Sequence, residues 1–242
     1  MNIDGVTFDF WNTLYTDRPS SDSDFVRSER LAALREAVET CGGAATPEKL
    51  GESNSSGFAA YVEAWRTGRH YGAREHVYHV LGLLGVAPCD GGVKQAAERI
   101  EELGRQADLV LLPGAAEAVP LLATAGVKLG LISDTGLTPG RILMTFLERD
   151  GLLPYFSSLT FSDETGFPKP DPRMFQRTLA EMGVDAGTSL HVGDTPRTDI
   201  AGALRMGMRA VRFAAVSDSD EPPAAHAVIR DHRELLRLVK EL

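Results

Sequence analysis

The sequence predicts an α/β protein: a Rossmann-like, doubly wound parallel sheet core with a helical domain inserted behind its first strand. Three observations lead there. An apolar, β-prone run at residues 5–10 stands alone near the N-terminus. It is followed by about a hundred residues of helical periodicity. From residue 112 onward short apolar runs alternate with amphipathic segments, the pattern of a parallel sheet covered on both faces. The economical trace joins the isolated strand to its later sisters, giving a core of residues 1–15 and 112–242 around a helical insert of residues 16–111.

The first strand delivers Asp9 between Phe8 and Phe10. A carboxylate there has no easy structural use, because a buried charge must be paired or must bind a metal. Residues 17–24 are polar and turn-rich. The insert then shows four apolar stripes: Leu31, Leu34, Val38 and Cys41; Phe58, Val62 and Trp65; Val77, Leu81 and Leu84; Val93, Ala97, Ile100 and Leu103. Ser-Asn-Ser-Ser-Gly at 53–57 reads as a loop, and no strand is expected between Tyr15 and Ala107.

Within the core, residues 115–125 read as helix and 127–133 as a buried strand ending in Ser133 and Asp134. Thr138 and Pro139 cap the next helix, 159–161 is a strand, and Lys169 lies in a proline-rich loop. Asp171 and Pro172 open the helix at 173–182 by the same device. The strand at 188–192 ends in Gly193 and Asp194, and Asp199 follows near the start of a helix. Strands at 210–213 and 227–229 complete the sheet, and Asp231 with Glu234 forms a capping box for the last helix.

A formal net charge of -9 argues against a nucleic-acid partner, since any basic site must be local. Cys41 and Cys89 match no metal-ligand spacing and are too few for a disulfide framework, so reduced thiols and a cytoplasmic location are expected. No basic leader precedes an apolar run. The apolar segment at 109–125 is broken by Pro113, Glu117 and Pro120, so no membrane span is expected. Among the histidines, His191 lies within a strand, and His76 and His79 lack a third ligand for zinc.

Ligands of open α/β sheets bind at the carboxyl ends of the strands, where the strand order reverses. Asp9, Ser133, Lys169 and Asp194 fall at those ends or in the loops beyond them. Each alone has an ordinary use: a turn serine, a solvated lysine, a turn aspartate, with Asp199 as first-turn helix charge. Taken together they resemble the haloacid dehalogenase-like hydrolase superfamily. Asp9 with Thr13 and Leu14 is similar to its first motif, Ser133 to its second, Lys169 before Pro170 to its third, and Gly193-Asp194 with Asp199 to its fourth. The position of the insert resembles the helical cap of the family's first cap class.

The resemblance implies a Mg²⁺-dependent hydrolase acting on a small phosphorylated metabolite. Asp9 would be the nucleophile, forming an aspartyl phosphate that splits one hard displacement into two easier ones. Asp9, Asp194, Asp199 and the backbone carbonyl of Trp11 would make the metal side, because a carboxylate and a phosphate repel each other without a cation between them. Ser133 and Lys169 would hold the phosphoryl oxygens, with Thr13 and Asp134 beside them on the substrate side. In the insert, Arg66 and Arg69 stand in a basic and aromatic cluster that could bind an anionic substrate group or simply pair with Glu63 and Glu75.

Trp11 is a departure. Most phosphatases of the superfamily carry there a second Asp that protonates the leaving group. Loss of such a group typically costs about two to four orders of magnitude. The dehalogenase branch has an aromatic residue at this position and attacks carbon without metal, but it replaces the Gly-Asp that is intact here. The phosphonate-cleaving branch needs a cap lysine in an apolar setting, and Lys49 and Lys94 are not in one. Phosphate-ester hydrolysis therefore ranks first, dehalogenation second, and a catalytically weak binding protein third. The sequence sets no oligomeric state.

Overall fold

A computed structural model describes residues 3–18, 23–219 and 221–242. Residues 19–22 of the expected turn-rich segment lie outside them. Strand β1 (Gly5–Phe8) is buried throughout, as a fully covered parallel strand must be. Behind it, Asn12 adopts a positive φ of 54°, and the turn leads into the short β2 (Tyr15–Asp17). Four helices follow: α1 (Ser23–Thr40), α2 (Pro47–Arg66), α3 (Ala73–Leu83) and α4 (Asp90–Glu102). β3 (Leu109–Leu111) pairs antiparallel with β2, Tyr15 opposite Leu111. The expectation of no strand after Tyr15 is thus corrected, because these two three-residue segments close the neck of the insert as a ribbon.

Helix α5 (Ala115–Thr124) and β4 (Lys128–Ser133) follow the reading from sequence within a few residues. Next come α6 (Gly140–Arg149), β5 (Phe156–Phe161), the single turn α7 (Ser162–Thr165) and α8 (Pro172–Met182). Asp171 caps α8 by accepting from Arg173 N. β6 (Ser189–Gly193), a π-helical turn at Pro196–Ile200, α9 (Ala201–Met206), β7 (Arg209–Phe213), β8 (Ala227–Ile229) and α10 (Leu235–Glu241) complete the chain. The six-stranded sheet runs β5-β4-β1-β6-β7-β8, all parallel. The chain winds outward from β1 to one side through β4 and β5 and to the other through β6, β7 and β8. Order therefore reverses at β1, and the carboxyl ends of β1, β4 and β6 lie side by side.

The chain divides into two compact units: Met1–Asp17 with Leu109–Asp134 and Met144–Leu242, and Arg18–Asp108 with Thr135–Leu143. The first holds the sheet. In the second, Leu34, Val38, Val77, Leu81, Val93, Ala97 and Ile100 form one buried cluster, with Leu31, Cys41 and Leu84 against its margin. The stripe expected on α2 is different. Val62 is 48% exposed, and the buried side carries Leu50, Ser53, Asn54, Gly57 and Ala64.

Residues 53–57 are therefore mid-helix rather than a loop. Small and polar residues stand there because α3 approaches closely. A Cβ on Gly57 would lie 2.5 Å from the His76 ring, and Asn54 Oδ1 meets His76 Nε2 at 3.0 Å. The cysteines are also corrected. Cys41 after α1 and Cys89 before α4 are brought to a Cα separation of 5.3 Å and joined as a disulfide. Packing of α1 on α4 makes neighbours of residues 48 apart, which spacing alone could not show. Among the described residues, no helix is long and apolar enough to cross a membrane.

In the core, fully buried His232 stacks on Phe213 at 4.3 Å, and its Nδ1 donates to Pro113 O at 2.9 Å. Burial pushes its pKa down from 6.5 to about 4. A base with a depressed folded pKa contributes stability in full above pH 6.5 and loses it as pH falls toward 4. In His232→Phe that loss is absent. Between pH 7.5 and 4 the stability difference should therefore move in favour of the variant by up to about 3 kcal/mol, measured by urea unfolding.

Candidate active site

β1 positions Asp9, whose backbone N–H donates to Val192 O of β6 at 2.8 Å. Lys169, in the loop before α8, reaches back beneath the strand ends and is 2% exposed. Its ammonium donates to Asp9 Oδ1 at 2.5 Å and to Asp199 Oδ1 at 2.6 Å. Burial opposes that charge, but Asp199, Asp9 and Asp134 outweigh it and hold the lysine firmly protonated. The loop is tied down as Lys169 N–H donates to Asp134 Oδ1 at 2.7 Å. Asp134 thus orients the lysine loop from the end of β4. Beside it, fully buried Ser133 donates from Oγ to Asp134 O at 3.1 Å.

Three carboxylates gather here: Asp9, Asp194 and Asp199 each offer an oxygen within 4.8 Å of the others. Burial and the neighbouring acids raise the Asp9 pKa well above the usual carboxylate range, although Lys169 pulls the other way. Asp194 is pushed up to about 6, by burial and then by Asp199. For Asp199, burial acts upward but Lys169 and His191 overcome it, so this acid stays below its ordinary value. Mutually raised acids in one buried cluster are what a cation would relieve.

The Asp199 carboxylate is already engaged. Oδ1 accepts from Lys169 and from His191 Nε2 at 3.2 Å, and Oδ2 accepts from Thr195 N at 3.0 Å and Thr198 Oγ1 at 3.3 Å. Glycine at 193 makes this seat possible, since a Cβ there would lie 2.3 Å from Asp199 Cγ. Asp194 accepts from Thr195 Oγ1 at 2.9 Å and is less enclosed.

His191, set aside in the sequence as a strand residue, belongs to this network. Its Nε2 faces a carboxylate and must donate, so Nδ1 accepts from Thr7 Oγ1 at 2.8 Å. The signal available was a histidine between Leu190 and Val192, two places before Gly193, and Thr7 alternating with Val6 and Phe8 on β1. His191→Phe keeps the edge contact on Phe175 but removes the hydrogen bond to Asp199. Turnover should fall about 10- to 100-fold through loosened Lys169, and His191→Gln, whose amide can donate from the same place, should recover most of it.

Thr13, in the turn after β1, is fully buried and its Oγ1 meets no hydrogen-bond partner among the described residues. Trp11 sits in the same turn, bridged through its backbone to Tyr15 and edge-on to Phe10 at 5.2 Å. Arg66 and Arg69 lie in the helical unit, both exposed, Arg69 Nε donating to Thr67 Oγ1 at 3.1 Å.

Fold and site together define the class: a doubly wound α/β hydrolase that gathers carboxylates and one lysine at the switch point of its sheet. The chain belongs to the haloacid dehalogenase-like hydrolases, whose family model matches residues 3–207. It is 34% identical over 230 residues to a ribulose-1,5-bisphosphate 5-phosphatase of Halopiger xanaduensis, covering 91% of this chain and 88% of that one. It is 29% identical over 247 residues to a glyceraldehyde 3-phosphate phosphatase of Methanopyrus kandleri, covering 99% and 98%. Among solved structures, a 2-haloacid dehalogenase from Pseudomonas syringae pv. Tomato superposes with a TM-score of 0.67 at 27% identity over 99% of each chain.

Proposed function

We propose that the protein is a Mg²⁺-dependent phosphatase of small phosphorylated metabolites, with Asp9 as nucleophile. The observation that carries this reading is the cluster of Asp9, Asp194 and Asp199 around one buried lysine. Two phosphatase relatives, for ribulose-1,5-bisphosphate and glyceraldehyde 3-phosphate, support the substrate class. Asp9 and Asp194, with the Trp11 carbonyl, are the donors that fit Mg²⁺, an oxygen-seeking ion usually held by one or two carboxylates. Asp199, with four donors on it, serves from behind. The ion would supply charge neutralisation between the phosphoryl group and the attacking carboxylate.

Lys169 releases Asp9 as the phosphoryl group enters and holds one of its oxygens, still anchored by Asp199. Ser133 turns its hydroxyl from the Asp134 carbonyl to a second oxygen, and the unpartnered Thr13 hydroxyl takes a third. Asp9 then attacks phosphorus, the leaving oxygen departs, and water later cleaves the aspartyl phosphate. By its place in the chain, directly behind the first strand, the helical insert would be the family's cap. A cytoplasmic location belongs to the same proposal, with the Cys41–Cys89 disulfide as the observation against it.

Trp11 offers no carboxyl group to protonate the leaving oxygen. Trp11→Asp should raise turnover of alkyl phosphates, which have poor leaving groups, by about tenfold or more. Unchanged rates would mean that the proton comes from elsewhere. Dehalogenation is the second reading, favoured by the aromatic residue at position 11 and the Pseudomonas structure. A panel of phosphate esters and 2-haloacids, each with Mg²⁺ and with chelator, decides between them. Phosphate release that needs Mg²⁺ is expected. Halide release in chelator would overturn the phosphatase reading, and no turnover of either set would leave a binding protein.

A further inference from the structure

The helical unit contains a group of side chains that its own packing leaves unfinished. The Arg30 guanidinium of α1 lies over the Phe58 ring of α2, Cζ 4.8 Å from the centroid. Phe58 in turn packs on His76 of α3 at 5.1 Å, and Tyr71, just before α3, meets the same imidazole edge-on at 6.2 Å. Arg30 Nε and Tyr71 OH are buried atoms without a hydrogen-bond partner among the described residues, as is His76 Nδ1, which faces Gly57. Buried polar atoms are nearly always satisfied, so orphans on one connected set of rings ask for an occupant.

The sign of the charge says what kind. Arg30 has no ion pair among the described residues. Its neighbour Glu29 is committed to Arg99 at 2.8 Å. Burial is what pulls the Arg30 guanidinium below its ordinary range, with no carboxylate acting against it. His76 gives no negative charge either. It is engaged by Asn54 and held neutral, its pKa pushed down to about 4 by burial, then by Arg30 and His79. Beyond the face of Phe58, a partly desolvated guanidinium beside neutral rings is stabilised best by an anion.

We propose that Arg30, on the Phe58 face beside His76 and with the Tyr71 hydroxyl in the same ring cluster, forms a binding subsite for a small oxyanion, a phosphate or carboxylate group. The sequence pointed instead to Arg66 and Arg69, which are exposed and lack this enclosure. The proposal does not depend on the phosphatase reading. The binding itself requires no turnover.

The test follows the His76 imidazole resonances of the full-length protein by NMR, in chelator, while inorganic phosphate and, separately, acetate are added. A saturable shift with phosphate alone identifies a tetrahedral anion, and one with acetate alone a carboxylate. Affinity should fall about tenfold or more in Arg30→Met and stay unchanged in Arg69→Ala. No saturable shift with either anion, or equal affinity in Arg30→Met, overturns the proposal and leaves water as the occupant. Should Arg30→Met not fold, Tyr71→Phe decides: weaker binding supports the subsite and unchanged binding removes it. If the enzyme hydrolyses no phosphate ester, the functional reading fails while this titration still gives its answer.

Discussion

Asp9→Asn should keep the fold and lose turnover by at least about a thousandfold, with substrate binding retained. The amide has the size of the carboxylate and still accepts from Lys169, so the backbone bond to Val192 and the ends of β1 and β6 stay as they are. What disappears is the attacking oxygen. Asp9 is also one of three acids crowding a buried cluster, and burial with Asp199 and Asp194 already raises its pKa. Neutralising it costs the folded state little, because Lys169 keeps Asp199. Circular dichroism and thermal melts should match wild type while phosphate release vanishes. A variant that folds and turns over within about tenfold of wild type contradicts the nucleophile assignment.

Lys169→Met is expected to damage both stability and activity. The lysine is 2% exposed and holds Asp9 and Asp199 together at 2.5 and 2.6 Å. Its removal leaves buried carboxylates facing each other without compensation, which costs about 3–5 kcal/mol. For a chain of this size that corresponds to a melting temperature lower by about 6–20 °C. Without the ammonium, the Asp9 pKa rises further above its unfolded value. A carboxyl raised on folding binds its proton more readily in the folded state, so the variant regains stability as pH falls and the gap to wild type narrows toward pH 4. Mg²⁺ should also narrow it. A melting point equal to wild type at pH 7 would mean that the lysine is not the counter-ion of the cluster.

The core was legible in the sequence because its central strands β1, β4 and β6 are almost wholly buried and read as mostly apolar runs. The residues expected at strand ends are where the sheet brings them: Asp9 and Asp194 follow β1 and β6, and Ser133 is the last residue of β4. The helical insert was harder. Phe58, Val62 and Trp65 have helical spacing, yet the middle of the buried side of α2 is Ser53, Asn54 and Gly57, of which Asn54 and Gly57 fit against His76. Hydropathy cannot see a helix face that packs by being small. The disulfide and the three-residue ribbon were invisible for a related reason, as both depend on pairing between distant segments. His191 was passed over because a strand histidine is ordinary until Asp199, eight residues on, is folded back against Gly193.

The most direct measurement is to mix enzyme, Mg²⁺ and a phosphate ester that it turns over, quench in acid during steady state, and locate phosphoryl groups by peptide mass spectrometry. A base-labile phosphoryl group on Asp9, absent from chelator-treated enzyme, is the predicted result. Substrate consumed while Asp9 remains unmodified and another residue carries the phosphoryl group would contradict it.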